Sequence, residues 1–154
     1  TLNTLKPMPV SFYEIDVRSG LKSRRKLSTF LDKLLKTHVD IKRADLHYIF
    51  CDDAYLLAIN RQFLNHDTLT DIITFDLSEE PGVMLAEIYI STERVTENAV
   101  LFHTGYEQEL HRVIFHGALH LCGFKDKTKT EQQQIRAQED QCLENYFNLK
   151  AAHS

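Results

Sequence analysis

Along this 154-residue chain the spacing of apolar and polar positions changes period several times, and each change marks an element. Residues 10–17 alternate as an extended strand does, with Phe12, Glu14 and Asp16 on one side and Tyr13, Ile15 and Val17 on the other, although the polarity is imperfect. Over 22–39 the apolar residues Leu27, Phe30, Leu31, Leu34 and Leu35 recur at helical spacing, and 46–51 reads as a second strand. Asp52 or Asp53 can cap the next helix, which carries Tyr55, Leu56, Ile59 and Phe63, because a short carboxylate can accept from the free N–H groups of a first turn. Pro81-Gly82 turns a strand at 72–77 into one at 84–90, which predicts a hairpin. Helices follow over 92–102, 106–122 and 130–147, with Gly105 and Gly123 as the breaks. No repeat or low-complexity segment interrupts the order.

Two strand-helix-strand crossovers and a hairpin predict an α+β fold, a mixed sheet of about four strands packed with about five helices. The later helices cover one face, and a cleft is expected on a C-terminal one. At 154 residues and 43% hydrophobic the chain is expected to form a single domain, 1–154. No apolar run approaches the ~20 residues that span a bilayer, and no charged-then-apolar leader opens the sequence. Three scattered cysteines, Cys51, Cys122 and Cys142, suit a reducing compartment. A cytoplasmic protein without a membrane partner is therefore expected; oligomeric state leaves no sign in the sequence.

The run His116-Gly117-Ala118-Leu119-His120-Leu121-Cys122-Gly123-Phe124-Lys125-Asp126 adds chemistry to this frame. Positions i and i+4 of a helix share a face, so His116 and His120 can converge on one ion. Gly123, having no Cβ, can take the left-handed conformation that ends a helix and swing Asp126 back as a third ligand. Two histidines so spaced also suit one polar and one core position of an amphipathic helix; the glycine and the carboxylate beyond them favour the metal. Three protein ligands leave a position open, as in catalytic zinc sites, whereas structural sites are usually closed by four. The cysteines form no CxxC pair and supply no obvious fourth ligand.

Zinc lowers the pKa of a bound water towards about 7 and polarises carbonyl or phosphoryl oxygens, so hydrolysis is the expected chemistry. The spacing is similar to that of metzincin proteases, but those place Glu after the first histidine as general base. Here that residue is Gly117, which makes a peptidase the lesser reading.

The run HGALHLCGF resembles the H-G-x-L-H-L-x-G-Y motif of the YbeY family, bacterial metal-dependent endoribonucleases of rRNA maturation. The stretch 69–75, LTDIITF, is similar to that family's P-T-D-V-L-S-F, and 85–91, LAEIYIS, resembles its L-G-D-I-x-I-S strand. The three occur in the family's order, and the resemblance spans roughly residues 45–147. It implies a mixed sheet packed with helices around a metal cleft, one zinc ion held by His116, His120 and Asp126, and RNA as substrate. It also implies that Asp71 faces the cleft.

Two positions depart from the pattern. Asp126 stands where the family has its third ligand histidine, preceded by Lys125 in place of Asp; a carboxylate can ligate zinc but makes the site harder and more anionic. Leu64 stands where the family's N-x-x-Y-R has arginine, the side chain best suited to gripping a phosphate. Arg61, His66 and Arg112 are the candidates to replace it. Arg112 and Glu109 precede His116 by four and seven residues, on its helix face. Glu109 is one candidate to accept the second N–H of His116; an exposed Glu-Arg pair is the alternative. His38, His47, His66, His103 and His111 read as surface or loop histidines.

The net charge of -4 is unevenly divided: residues 1–50 hold ten Lys/Arg against five Asp/Glu, whereas 51–154 hold eight against seventeen. Lys22, Arg24, Arg25, Lys26, Lys33 and Lys36 on one helix, with Lys42 and Arg43 after it, form either a basic flank for an RNA backbone or an ordinary solvated face. The function that the resemblance implies is a metal-dependent, single-strand-specific endoribonuclease of small-subunit rRNA 3′ end processing and ribosome quality control, with Arg112 and Asp71 as catalytic candidates. A ribosome-associated assembly protein with a structural metal, and a metallohydrolase of another substrate, are the alternatives.

Overall fold

A computed structural model describes residues 8–66 and 69–148, so the ends of the expected 1–154 domain lie outside the described residues. The order is β1 (Val10–Glu14), α1 (Arg24–His38), β2 (Arg43–Cys51), α2 (Asp53–Leu64), β3 (Ile72–Asp76), β4 (Val83–Ser91), α3 (Thr92–Leu101), α4 (Tyr106–Leu121) and α5 (Lys129–Phe147). The expected α+β class, with four strands and five helices, is what the described residues form.

The strands are arranged β1-β2-β4-β3. β1 and β2 are parallel, β2 and β4 are parallel, and β3 runs antiparallel to β4 at the edge. The hairpin thus enters the sheet by its second strand. β4 suits the interior, since Met84, Ala86, Ile88 and Ile90 are buried along one face. β1 is shorter than its alternation predicts because Asp16 takes a φ of +54°, outside the extended region.

That buried face of β4 joins Leu46, Tyr48 and Phe50 of β2 and Leu27, Leu31 and Leu35 of α1 in the main core. α4 completes it with Leu110, Val113, Ile114, Phe115 and Ala118. The buried Tyr48 hydroxyl donates to the Ile114 carbonyl at 2.7 Å, fixing α4 against the sheet. At Gly117 the approach is closest: a Cβ there would lie 2.9 Å from Ile72 Cδ1 and 3.1 Å from Ile88 Cγ2. The glycine therefore lets the helix settle onto β3 and β4.

Several caps are local and strong. Asp52 accepts from the Tyr55 N–H at 2.8 Å, and Thr128 and Glu131 form a reciprocal capping box on α5. His111, expected at the surface, is only 3% exposed. Its Nδ1 contacts the Glu107 carbonyl at 2.7 Å, and its ring packs on Tyr146 and Phe147, so it closes the α4–α5 seam. The basic helix is partly committed to structure. Arg24 pairs with Glu14, Lys36 with Asp32, and Lys26 donates to the Tyr146 carbonyl while lying over that ring. Among the described residues no helix is long and apolar enough to cross a membrane.

Candidate metal centre

α4 carries both histidines one turn apart, their ring centroids 5.3 Å from each other. The helix then ends as the sequence requires. Gly123 takes a φ of +100° and donates its N–H to the His120 carbonyl at 3.0 Å, while the Phe124 N–H reaches the Leu119 carbonyl at 3.1 Å. This paired closure reverses the chain direction. It returns Asp126 to the histidines, with Oδ2 3.2 Å from His116 Nε2 and Oδ1 3.6 Å from His120 Nε2. Gln132 steadies the loop by donating to the Asp126 carbonyl at 3.1 Å.

His116, His120 and Asp126 bring one ligand atom each within 4.8 Å of one another, so this cluster can hold a metal ion. Two imidazoles and a carboxylate are a catalytic donor set, with room for a further ligand. The donor chemistry fits, and so does the support behind it. His116 Nδ1 lies 2.6 Å from Glu139 Oε2 on α5, which fixes the ring's orientation and leaves Nε2 for the ion. Burial disfavours the His116 imidazolium, yet the Glu139 hydrogen bond and the Glu139, Asp126 and Asp71 charges outweigh it and raise its pKa.

Glu139 was the residue hardest to foresee. It is buried between His116 and Arg112, whose guanidinium donates to Glu139 at 3.0 Å and to Asp140 at 2.7 Å. A signal does exist in α5, where Ile135, Glu139, Cys142, Leu143 and Tyr146 share the buried face, so a carboxylate interrupts an otherwise apolar stripe. Glu109, the sequence candidate for this contact, is not the partner; it sits two turns before His116, about 10 Å along the axis. Nor is it half of an exposed pair, because it is buried and Arg112 turns to α5 instead.

Two cavities meet at the cluster, and Asp71, His116 and Asp126 line both. One, of about 810 Å³, runs along β3 and contains Leu64, His66, Thr70 and His120. The other, of about 460 Å³, lies among α3, α4 and α5 and contains Phe102, Glu109, Arg112, Arg136 and Glu139. Asp71, just before β3, thus faces the cleft, and burial raises its pKa against the opposing charge of His116. Of the candidates to replace arginine at position 64, His66 shares the larger cavity with Leu64 and Arg112 lines the smaller; Arg61 borders neither. No lysine or arginine of α1 borders either cavity. Gly117 points at the sheet, so a glutamate there would be directed into Ile72 and Ile88 and away from the cluster. A metzincin-type base has no place in this geometry.

The model of the family described as Endoribonuclease YbeY matches residues 14–147. A Cytophaga hutchinsonii protein named Endoribonuclease YbeY is 45% identical over 139 residues, covering 90% of this chain and 96% of the relative. A Flavobacterium psychrophilum protein of the same name is 53% identical over 106 residues, covering 69% of this chain and 74% of the relative. A solution structure of a Thermotoga maritima protein has the same fold, with a TM-score of 0.59 at 24% identity over 94% of this chain and 93% of that one. With the family model spanning nearly the whole described chain around the His116-His120-Asp126 cluster, this protein belongs to the endoribonuclease YbeY family.

Proposed function

We propose that the protein is a metal-dependent endoribonuclease that cleaves single-stranded RNA in the cytoplasm, maturing the 3′ end of small-subunit rRNA and serving ribosome quality control. The observation that carries this reading is the convergence of His116, His120 and Asp126, with His116 oriented by Glu139, in a chain of this family. The donor set suits zinc. When bound, the ion supplies Lewis acidity towards a phosphoryl oxygen and lowers the pKa of water to near neutrality.

The chain's own residues divide the remaining work. Asp71 lines both cavities and its burial makes the carboxylate more basic, so it is the group to accept a proton from the attacking water. Arg112 directs two N–H groups to Glu139 and Asp140, which makes it first a positioning residue for His116. Its charge also offsets the carboxylates beside the phosphate's path. His66 lines the groove at Leu64 and is the side chain nearest in role to the arginine of the family pattern.

The test is cleavage of a 3′-extended small-subunit rRNA precursor by the purified protein, with a His120→Ala preparation in parallel. Cleavage by the native protein that is lost in the variant is expected. Equal cleavage by both, or none by either while both remain folded, overturns the reading.

A further inference from the structure

The smaller cavity contains a buried carboxylate that no protein donor satisfies. Glu109 is 5% exposed, and among the described residues its carboxylate accepts no hydrogen bond and forms no ion pair; only the charges of Arg112 and Arg136 favour it. Its oxygens are not sealed in, since Asp32 Oδ1 is the one sealed and unpartnered side-chain oxygen among the described residues. They open instead to the cavity that Glu109 lines. A carboxylate so little exposed and with no protein donor is costly to keep charged, and its place in the first turn of α4 offsets only part of that. Such a group is an acceptor kept for a ligand.

Its neighbours describe the ligand. Phe102, 54% exposed where the chain leaves α3, presents a flat apolar ring to the same cavity. Arg136 lines it from α5, exposed and without an ion pair among the described residues. An aromatic face, a two-oxygen acceptor and a guanidinium together match a nucleotide: the ring stacks on the base, the carboxylate reads its edge, the cation meets a phosphate. A volume of about 460 Å³ is ample for one base. Among the RNA bases, guanine alone offers two adjacent parallel donors, N1–H and N2–H, to the two oxygens of a carboxylate. The others set an acceptor beside their donor.

We propose that this cavity is a guanosine subsite, in which Glu109 accepts N1–H and N2–H of an unstacked guanine lying on Phe102, next to the phosphate held at the metal cluster. The inference rests on the RNA-cleaving reading of that cluster. Because His116 and Asp126 of the cluster line this cavity, the guanosine adjoins the bond to be cut, and cleavage sites should concentrate beside guanosines in unpaired RNA.

The experiment measures binding of fluorescein-labelled 2′-O-methyl uridine octamers by the metal-loaded protein, using fluorescence anisotropy and checking on a gel that the octamers stay intact. One octamer carries a central guanosine, a second an inosine, which lacks the N2 amino group, and a third only uridine. The guanosine octamer is expected to bind about tenfold more tightly than the other two. Glu109→Gln, nearly the same shape, should bring that ratio to about one, while Phe102→Ala weakens every octamer and keeps the ratio. Equal affinity for guanosine and inosine in the native protein, or an unchanged ratio in Glu109→Gln, overturns the proposal. If Glu109→Gln does not fold, the native guanosine-to-inosine ratio decides. Guanosine-selective binding without cleavage of the rRNA precursor sinks the nuclease reading and leaves the subsite; cleavage without selectivity does the reverse.

Discussion

On one side of His116 the cleft is walled by α5, and on the other by the chain leaving α2. The α5 wall is tied by ionic hydrogen bonds: Glu139 reaches His116 at 2.6 Å and Arg112 at 3.0 Å, and Asp140 takes the other arm of Arg112 at 2.7 Å. Across the cleft stand Leu64, 41% exposed, and the exposed His66, after α2 has ended at Asn65 with a φ of +54°. The helical wall orients ligands, because charged groups in a half-buried setting hold their geometry. The opposite wall lines the larger cavity, and there an apolar side chain, Leu64, occupies the position of the family pattern's arginine. The residues that orient His116 and the one at position 64 thus belong to different elements, α5 and the end of α2, and can be changed separately.

The largest effect should come from disturbing what both walls share, the seat of α4 on the sheet. Gly117→Glu would drive a carboxylate into Ile72 and the fully buried Ile88, and is expected to cost more than about 3 kcal/mol and abolish cooperative folding. Thermal unfolding followed by circular dichroism reads this directly, and a native-like Tm would mean that position 117 has access to the cleft after all. Breaking only the helical wall is milder. Glu139→Gln removes the charge behind His116 and should weaken metal affinity by about 10- to 100-fold, as seen in competition with a chromophoric chelator. Unchanged affinity would show that α4 alone orients the ring. The smallest effect belongs to the other wall. Leu64→Arg should tighten single-stranded RNA binding and steepen its dependence on log salt by about 0.7, with metal affinity unaltered. A salt slope equal to that of the native protein would mean that position 64 does not meet a phosphate.

Most of the metal cluster was legible because it is contained within eleven residues. His116 and His120 are related by helical pitch, and the return of Asp126 follows from the backbone freedom of Gly123. The number of elements was legible too, since period and breaker residues are local signals. Boundaries were less so: β2 begins at Arg43, three residues before its expected start, because pairing with β4 extends it. His111 could not be recognised as buried, because its partners Tyr146 and Phe147 lie more than thirty residues away and only the docking of α5 brings them to it. Glu139 posed the same difficulty, twenty-three residues from the histidine it orients.

By itself, then, the sequence determined the α+β order of elements, the one-turn spacing of the two imidazoles and the glycine that turns Asp126 towards them. All of these depend on backbone geometry over a few residues. Tertiary structure alone decided that β4 lies inside the sheet, that Glu139 and not Glu109 meets His116, and that Glu109 is left facing a cavity. Those outcomes depend on which faces bury the most apolar surface when α4 and α5 dock. That free energy is summed over the whole core, so no single segment of the chain encodes it.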